Sequence, residues 1–116
     1  MRNKVEKYFE AFSNKDVDTL EEMYHEDISL RDWLSNPTGK TDVIESNKKL
    51  FNACSEVKVT LKKLIANSNI ATCEIDIDLI HNDGTADKLL VVDIIEFKDD
   101  KIKEIRAYLG NIIHTR

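Results

Sequence analysis

Residues 89–97 read LLVVDIIEF, residues 98–101 KDDK and residues 102–109 IKEIRAYL. This is a hairpin pattern: two β-branched runs around a polar turn. Asp93 interrupts the first run at its centre. An ionised carboxylate in apolar surroundings costs several kcal/mol unless it is paired, hydrogen-bonded or protonated, so its environment decides what this sheet is for. Strand register sets that environment. A two-residue turn at Asp99-Asp100 puts Asp93 opposite Arg106, as a structural ion pair. A three-residue connection with a bulge puts it opposite Ala107 and turns Arg106 to the other face. Only the second arrangement places Ile105, Ala107 and Leu109 on the same face as Val91, Asp93 and Ile95, so the pattern favours it. Asp93 is then expected to have a raised pKa, to hold a proton and to act as a hydrogen-bond donor.

Upstream, Val57, Val59 and Leu61 alternate in one strand, and Ala71, Cys73, Ile75, Ile77 and Leu79 in the next, with HNDGTAD as the turn leading into LLVVDIIEF. Glu74, Asp76 and Asp78 take the opposite face and read as a solvated surface rather than a metal site. The N-terminal half is helical. Val5, Tyr8, Phe9 and Phe12 recur at i, i+3, i+4 and i+7, predicting a helix from about Asn3 to Ser13. Asp16 can cap a short second helix burying Val17, Leu20, Met23 and Tyr24. ISLRDW then predicts a strand with Ile28, Leu30 and Asp32 on one face, and SNPTGK a loop. A third helix follows to about Ala53, with Val43 or Ile44, Asn47, Leu50, Phe51 and Cys54 inward. The order ααβαββββ predicts an α+β fold, with three N-terminal helices packed on a curved, mostly antiparallel sheet.

A chain of 116 residues has the size of one domain, 1–116. Its net charge of −5, with acids and bases interspersed, argues against nucleic acid or an anionic membrane as partner. No stretch reads as a signal peptide or a membrane span, which predicts a cytoplasmic protein. Cys54 and Cys73 lack any metal-ligand spacing and are expected as reduced core residues; no metal and no organic cofactor is expected. Leu90, Val92 and Ile94 give the Asp93 strand a second apolar face, which predicts a homodimer through the outer side of the sheet.

The segments YFEAFSNKDVDTLEEMYHEDISLRDW (8–33), GKTDVI (39–44), LLVVDIIEF and IKEIRAYL together resemble the nuclear transport factor 2-like superfamily, in particular its SnoaL-like and bacterial ketosteroid isomerase branch. The resemblance covers nearly the whole chain and implies a cone-shaped, cystatin-like fold. It further implies a site: Asp32 at the position of the general base, Tyr8 and a protonated Asp93 at the oxyanion hole, and Tyr24 as the buttressing tyrosine. Ketosteroid isomerase is itself a standard instance of a carboxylic acid kept neutral to donate a hydrogen bond. Two positions depart from that pattern. Trp33 follows the base where proline is usual, and Asn47 stands in place of a third tyrosine. The implied activity is proton transfer beside a carbonyl, on a mostly apolar small molecule held by Phe9, Phe12, Trp33, Leu50, Phe51 and Val91. A cyclase or dehydratase using His81, and a non-catalytic binding or dimerisation module, are the other members of the superfamily that such a chain can be.

Overall fold

The computed structural model describes residues Met1–Thr115. Its elements are α1 (Arg2–Ser13), α2 (Val17–Met23), β1 (Tyr24–Arg31), α3 (Lys40–Ala53), β2 (Cys54–Asn67), β3 (Ile70–His81), β4 (Ala86–Lys98) and β5 (Lys101–His114). The strands form one curved, unclosed sheet in the order β1-β5-β4-β3-β2. All neighbours are antiparallel except β1 and β5, which run parallel. The three helices cover one face of this sheet, as the patterning predicts for an α+β chain.

Periodicity explains the packing. The α1 stripe buries Val5, Tyr8, Phe9 and Ala11, with Phe12 turned toward α3, where its ring meets Phe51 edge-on at 5.0 Å. Asp16 caps α2, accepting from the Thr19 N–H at 3.2 Å and the Thr19 hydroxyl at 2.7 Å. Tyr24, expected on that helix, instead opens β1: helix α2 stops at Met23 and Tyr24 has extended backbone. Its side chain is buried all the same, because the inward stripe passes from helix to strand without interruption.

From Val91 to Phe97 the residues of β4 alternate, with Val91, Asp93, Ile95 and Phe97 buried and Val92, Ile94 and Glu96 half-buried. The β4–β5 hairpin combines both connections considered above. Lys98 pairs with Lys101 across a two-residue turn in which Asp99 (φ 53°) and Asp100 (φ 67°) are both left-handed, the geometry that matches strand twist. Phe97 then pairs with Ile102 but Glu96 with Glu104, so Lys103 is an extra residue, a bulge. The bulge, not a longer turn, puts Ala107 opposite Asp93. A second bulge falls at Gly110, between the pairs Val91–Leu109 and Leu90–Asn111. A Cβ at Gly110 would stand 3.2 Å from the Leu90 carbonyl oxygen, a close approach that favours glycine.

Candidate functional site

Between the helices and the inner face of the sheet lies an open cavity of about 510 Å³. Its walls are mainly apolar, with Phe12, Leu30, Leu50, Ile77, Leu89 and Val91 among them. Tyr8, Asp32, Asn47 and Asp93 bring polar atoms to it. A pocket of this size, with few polar groups on an apolar wall, suits a small organic ligand.

Asp93 is 7 % exposed. Its strand neighbours are Cys73 on β3 and Ala107 on β5, both uncharged. Burial pushes its pKa from 3.8 up to about 7, and the nearby Asp32 carboxylate adds to the rise. Among the described residues Asp93 takes part in no ion pair, and no fully buried polar side-chain atom is left without a partner, which together leave the carboxyl to the cavity. Arg106, the cation that could have neutralised it, is on the opposite face, bonded to Glu96 and, at 2.7 Å, to Glu104.

Tyr8 stands over the same space from α1. Burial, then the neighbouring Tyr24 and then Asp93, hold its pKa well above the usual tyrosine value, so it is a neutral donor. Tyr24 donates to Asn47 Oδ1 at 2.7 Å. The buried amide that interrupts the inner face of α3 thus anchors Tyr24, whose ring lies 6.4 Å from that of Tyr8. Burial also raises the Tyr24 pKa and pushes the Cys73 thiol up to about 12, leaving that cysteine inert.

Asp32 follows the last residue of β1 and enters the loop, so the strand is shorter than ISLRDW suggests. One carboxylate oxygen, Oδ1, accepts from the Leu34 N–H at 2.7 Å and the Ser35 N–H at 2.8 Å, an arrangement that fixes the loop and the direction of the side chain. Trp33 lines the cavity at 39 % exposure, and Leu34, at 84 %, lines it from the same loop. Phe12, Leu50 and Val91 are at the wall. Phe9 and Phe51 are not: both are core residues behind it, because their helix positions point past the cavity into the packing between helices and sheet.

Several lining residues carry no sequence signal, Leu34 among them. Ser46 and Lys49 are three residues and so one turn apart on α3, next to Asn47 and Leu50, but nothing in that spacing marks a cavity beside them. Ile112 lines it too, and the Gly110 bulge hides this by breaking the alternation. His81 is at the wall, its Nε2 2.7 Å from Asp87 Oδ2 and its Nδ1 3.8 Å from Cys54 Sγ. Asp87 also meets His114 Nδ1 at 2.5 Å, and these two histidine contacts hold its pKa low. Among the described residues no group of three His, Cys, Asp or Glu side chains is gathered to hold a metal ion, and no helix is long and apolar enough to cross a membrane.

Residues 5–105 match the SnoaL-like domain family. Solved structures with the same fold include a LEH-like epoxide hydrolase from M. tuberculosis (TM-score 0.84, 19 % identity, 93 % of this chain and 80 % of that one). A protein with a ketosteroid isomerase-like fold from Catenulispora acidiphila, in complex with trimethylamine, is similar (0.83, 15 %, 90 % and 83 %). So is a putative ketosteroid isomerase from Kribbella flavida (0.77, 17 %, 99 % and 81 %). No curated protein matches the sequence.

Proposed function

We infer that this protein, which belongs to the SnoaL-like domain family, moves a proton beside a carbonyl of a mostly apolar small molecule. The observation that carries the reading is Asp93: a buried carboxyl that no cation neutralises, open to the cavity and with a pKa near 7. A fold has little use for such a group, whereas an enolate-forming site needs a neutral acid as donor.

In this reading Asp32 is the base. Its Oδ1 is held by the loop N–H groups, leaving Oδ2 to take the proton from the carbon next to the carbonyl. As that C–H bond breaks, the electron pair moves onto the carbonyl oxygen, and Tyr8 with protonated Asp93 donates to it. Asp32 then returns the proton to the same carbon, or to the far end of a conjugated enol, giving exchange or allylic isomerisation. Tyr24 and Asn47 hold Tyr8 in place. Two nearby carboxyls with different burial divide the roles of acid and base, since both cannot ionise cheaply.

The dehydratase-type alternative asks His81 to act on the same substrate atoms. Asp93 and Asp87, the partner of His81, are six residues apart on β4, about 20 Å along a strand, and both imidazole nitrogens of His81 already face protein groups. That favours the isomerase-type reading. Incubation of a simple cyclic enone in deuterated buffer tests it: the α-position should exchange with the protein and not with Asp32→Asn. A protein that binds the enone without exchanging it would be a ligand-binding module instead.

We also propose that a second copy of the chain covers the outer sheet face, where half-buried Leu90, Val92 and Ile94 lie on the same side as Tyr108, 48 % exposed. Sedimentation should give a dimer that Val92→Lys dissociates; a monomer at micromolar concentration would refute this.

A further inference from the structure

The cavity has two chemically different ends. At one end are the buried Asp93 and Tyr8, with the Asp32 carboxylate near Asp93. The other end is marked by His81, since β2 begins at its partner Cys54 directly after α3. There Asn82 ties the strand end to the helix end, donating through its N–H to the Ala53 carbonyl at 3.1 Å and through Nδ2 to the Asn52 carbonyl at 2.6 Å. Lys49 and Ser46 lie one and two turns before that helix end, on the face that lines the cavity. The lining residues of β4 run from Asp93 to Leu89, about 13 Å along a strand, so a ligand whose carbonyl is at Asp93 must be elongated to reach the mouth.

Lys49 is the single lysine or arginine among the described lining residues. Its neighbour Lys48 pairs with Glu45 at 3.6 Å, and Lys88, Lys40 and Lys62 likewise have acidic partners. Lys49 has none among the described residues; Lys7, Lys58 and Lys63 have none either, but of these only Lys49 lines this cavity. Ser46, one turn away, adds a hydroxyl that no described protein group engages. The rim is apolar, with Ile112 opposite Leu89 on β4 and Trp33 and Leu34 in the loop after Asp32, all three exposed. An unpaired cation beside a free hydroxyl, on an apolar rim opposite an acidic interior, is complementary to a molecule with an anion at one end.

We propose that the ligand of this cavity is an elongated apolar carbonyl compound bearing a carboxylate or similar small anion at its far end, and that Lys49 with Ser46 receives that anion. The orientation of the carbonyl rests on the enolisation reading above; the anion site does not. Phenols mimic the enolate, so two graded series are the probes: 4-alkylphenols, and the same molecules with the terminal methyl replaced by carboxylate. Calorimetry at low salt should find a chain length at which the carboxylate binds about tenfold tighter than its methyl counterpart. That advantage should vanish in Lys49→Gln, shrink in high salt and persist in Lys48→Gln, which makes the same change of net charge next door. Equal or weaker binding of the carboxylates at every length, an advantage that survives Lys49→Gln, or no binding by either series would each overturn the proposal. A Lys49-dependent advantage in a protein that exchanges no enone proton would leave the anion site standing and remove the isomerase reading.

Discussion

The two faces of the β4–β5 hairpin treat charge in opposite ways. Outside, Arg106 has two acidic partners, Glu96 and Glu104, in partial contact with water. Inside, on the same strand pair, Asp93 faces Ala107 and Cys73 and has no cation at all. The half-buried cation, which still reaches water, is compensated twice, and the more deeply buried acid is left bare. Stability alone predicts the reverse. The difference is what the proposed enolisation would require of the inner face, while on the outer face charge is compensated as folding alone would have it.

The inner face should break most completely through its base. Asp32→Asn should lower enone exchange by about a thousandfold or more, as removal of a general base does, while phenol binding persists and shows that the pocket is intact. Giving the inner face the cation it lacks is the next strongest intervention. In Ala107→Lys the new ammonium faces Asp93, so the carboxyl pKa, followed by carbon NMR, should drop from about 7 to the ordinary carboxylate range or below. Exchange should fall about tenfold to a hundredfold as the neutral donor is lost. An unchanged titration would mean that something other than the missing cation sets the pKa.

Stability reports the same contrast with smaller effects. Because the folded pKa of Asp93 lies above its unfolded value, the parent protein loses stability as pH rises from about 4 to about 7 and loses no more from this group beyond that. Asp93→Asn has no such proton to lose. Relative to the parent it should therefore gain roughly 2–4 kcal/mol between pH 4 and pH 8, measured by denaturant melts at both values. A variant that instead weakens toward pH 8 would show that the carboxylate form has a partner. On the outer face Arg106→Met should cost about 1 kcal/mol, since the pairs are half-buried and Glu96 and Glu104, which face each other, lose their shared cation, and it should leave the Asp93 titration where it was.

The ends of α1 and α3 are legible because the period of 3.6 breaks off at Ser13 and gives way to a period of 2 after Ala53. Asp93 and Asp32 were readable for the opposite reason: each is a carboxylate at a position whose period calls for an apolar residue. Tyr24 was assigned to the wrong element yet to the right side, because burial continues where hydrogen bonding changes from helix to strand. Phe9 and Phe51 lie behind the wall rather than at it, because a helical wheel shows which side faces inward but not how deep each residue lies. Lys49 and Ser46 were illegible, since an exposed polar residue on a helix carries no mark of the cavity it borders. The register of Asp93 was recovered from its consequence, a shared apolar face, while its cause, an extra lysine in the ladder, left no pattern of its own.

That extra lysine and Gly110 have an implication for how the chain can change length. Each is a residue without a counterpart on β4. Deleting either one straightens the ladder locally and leaves Ile105, Ala107 and Leu109 opposite the residues they already meet. Deleting any residue from 104 to 109 forces part of that segment to exchange inside for outside. Descendants of this sequence can therefore gain or lose single residues at two points of their last strand without altering what the cavity presents, and between those points their length is fixed by the carboxyl they must keep bare.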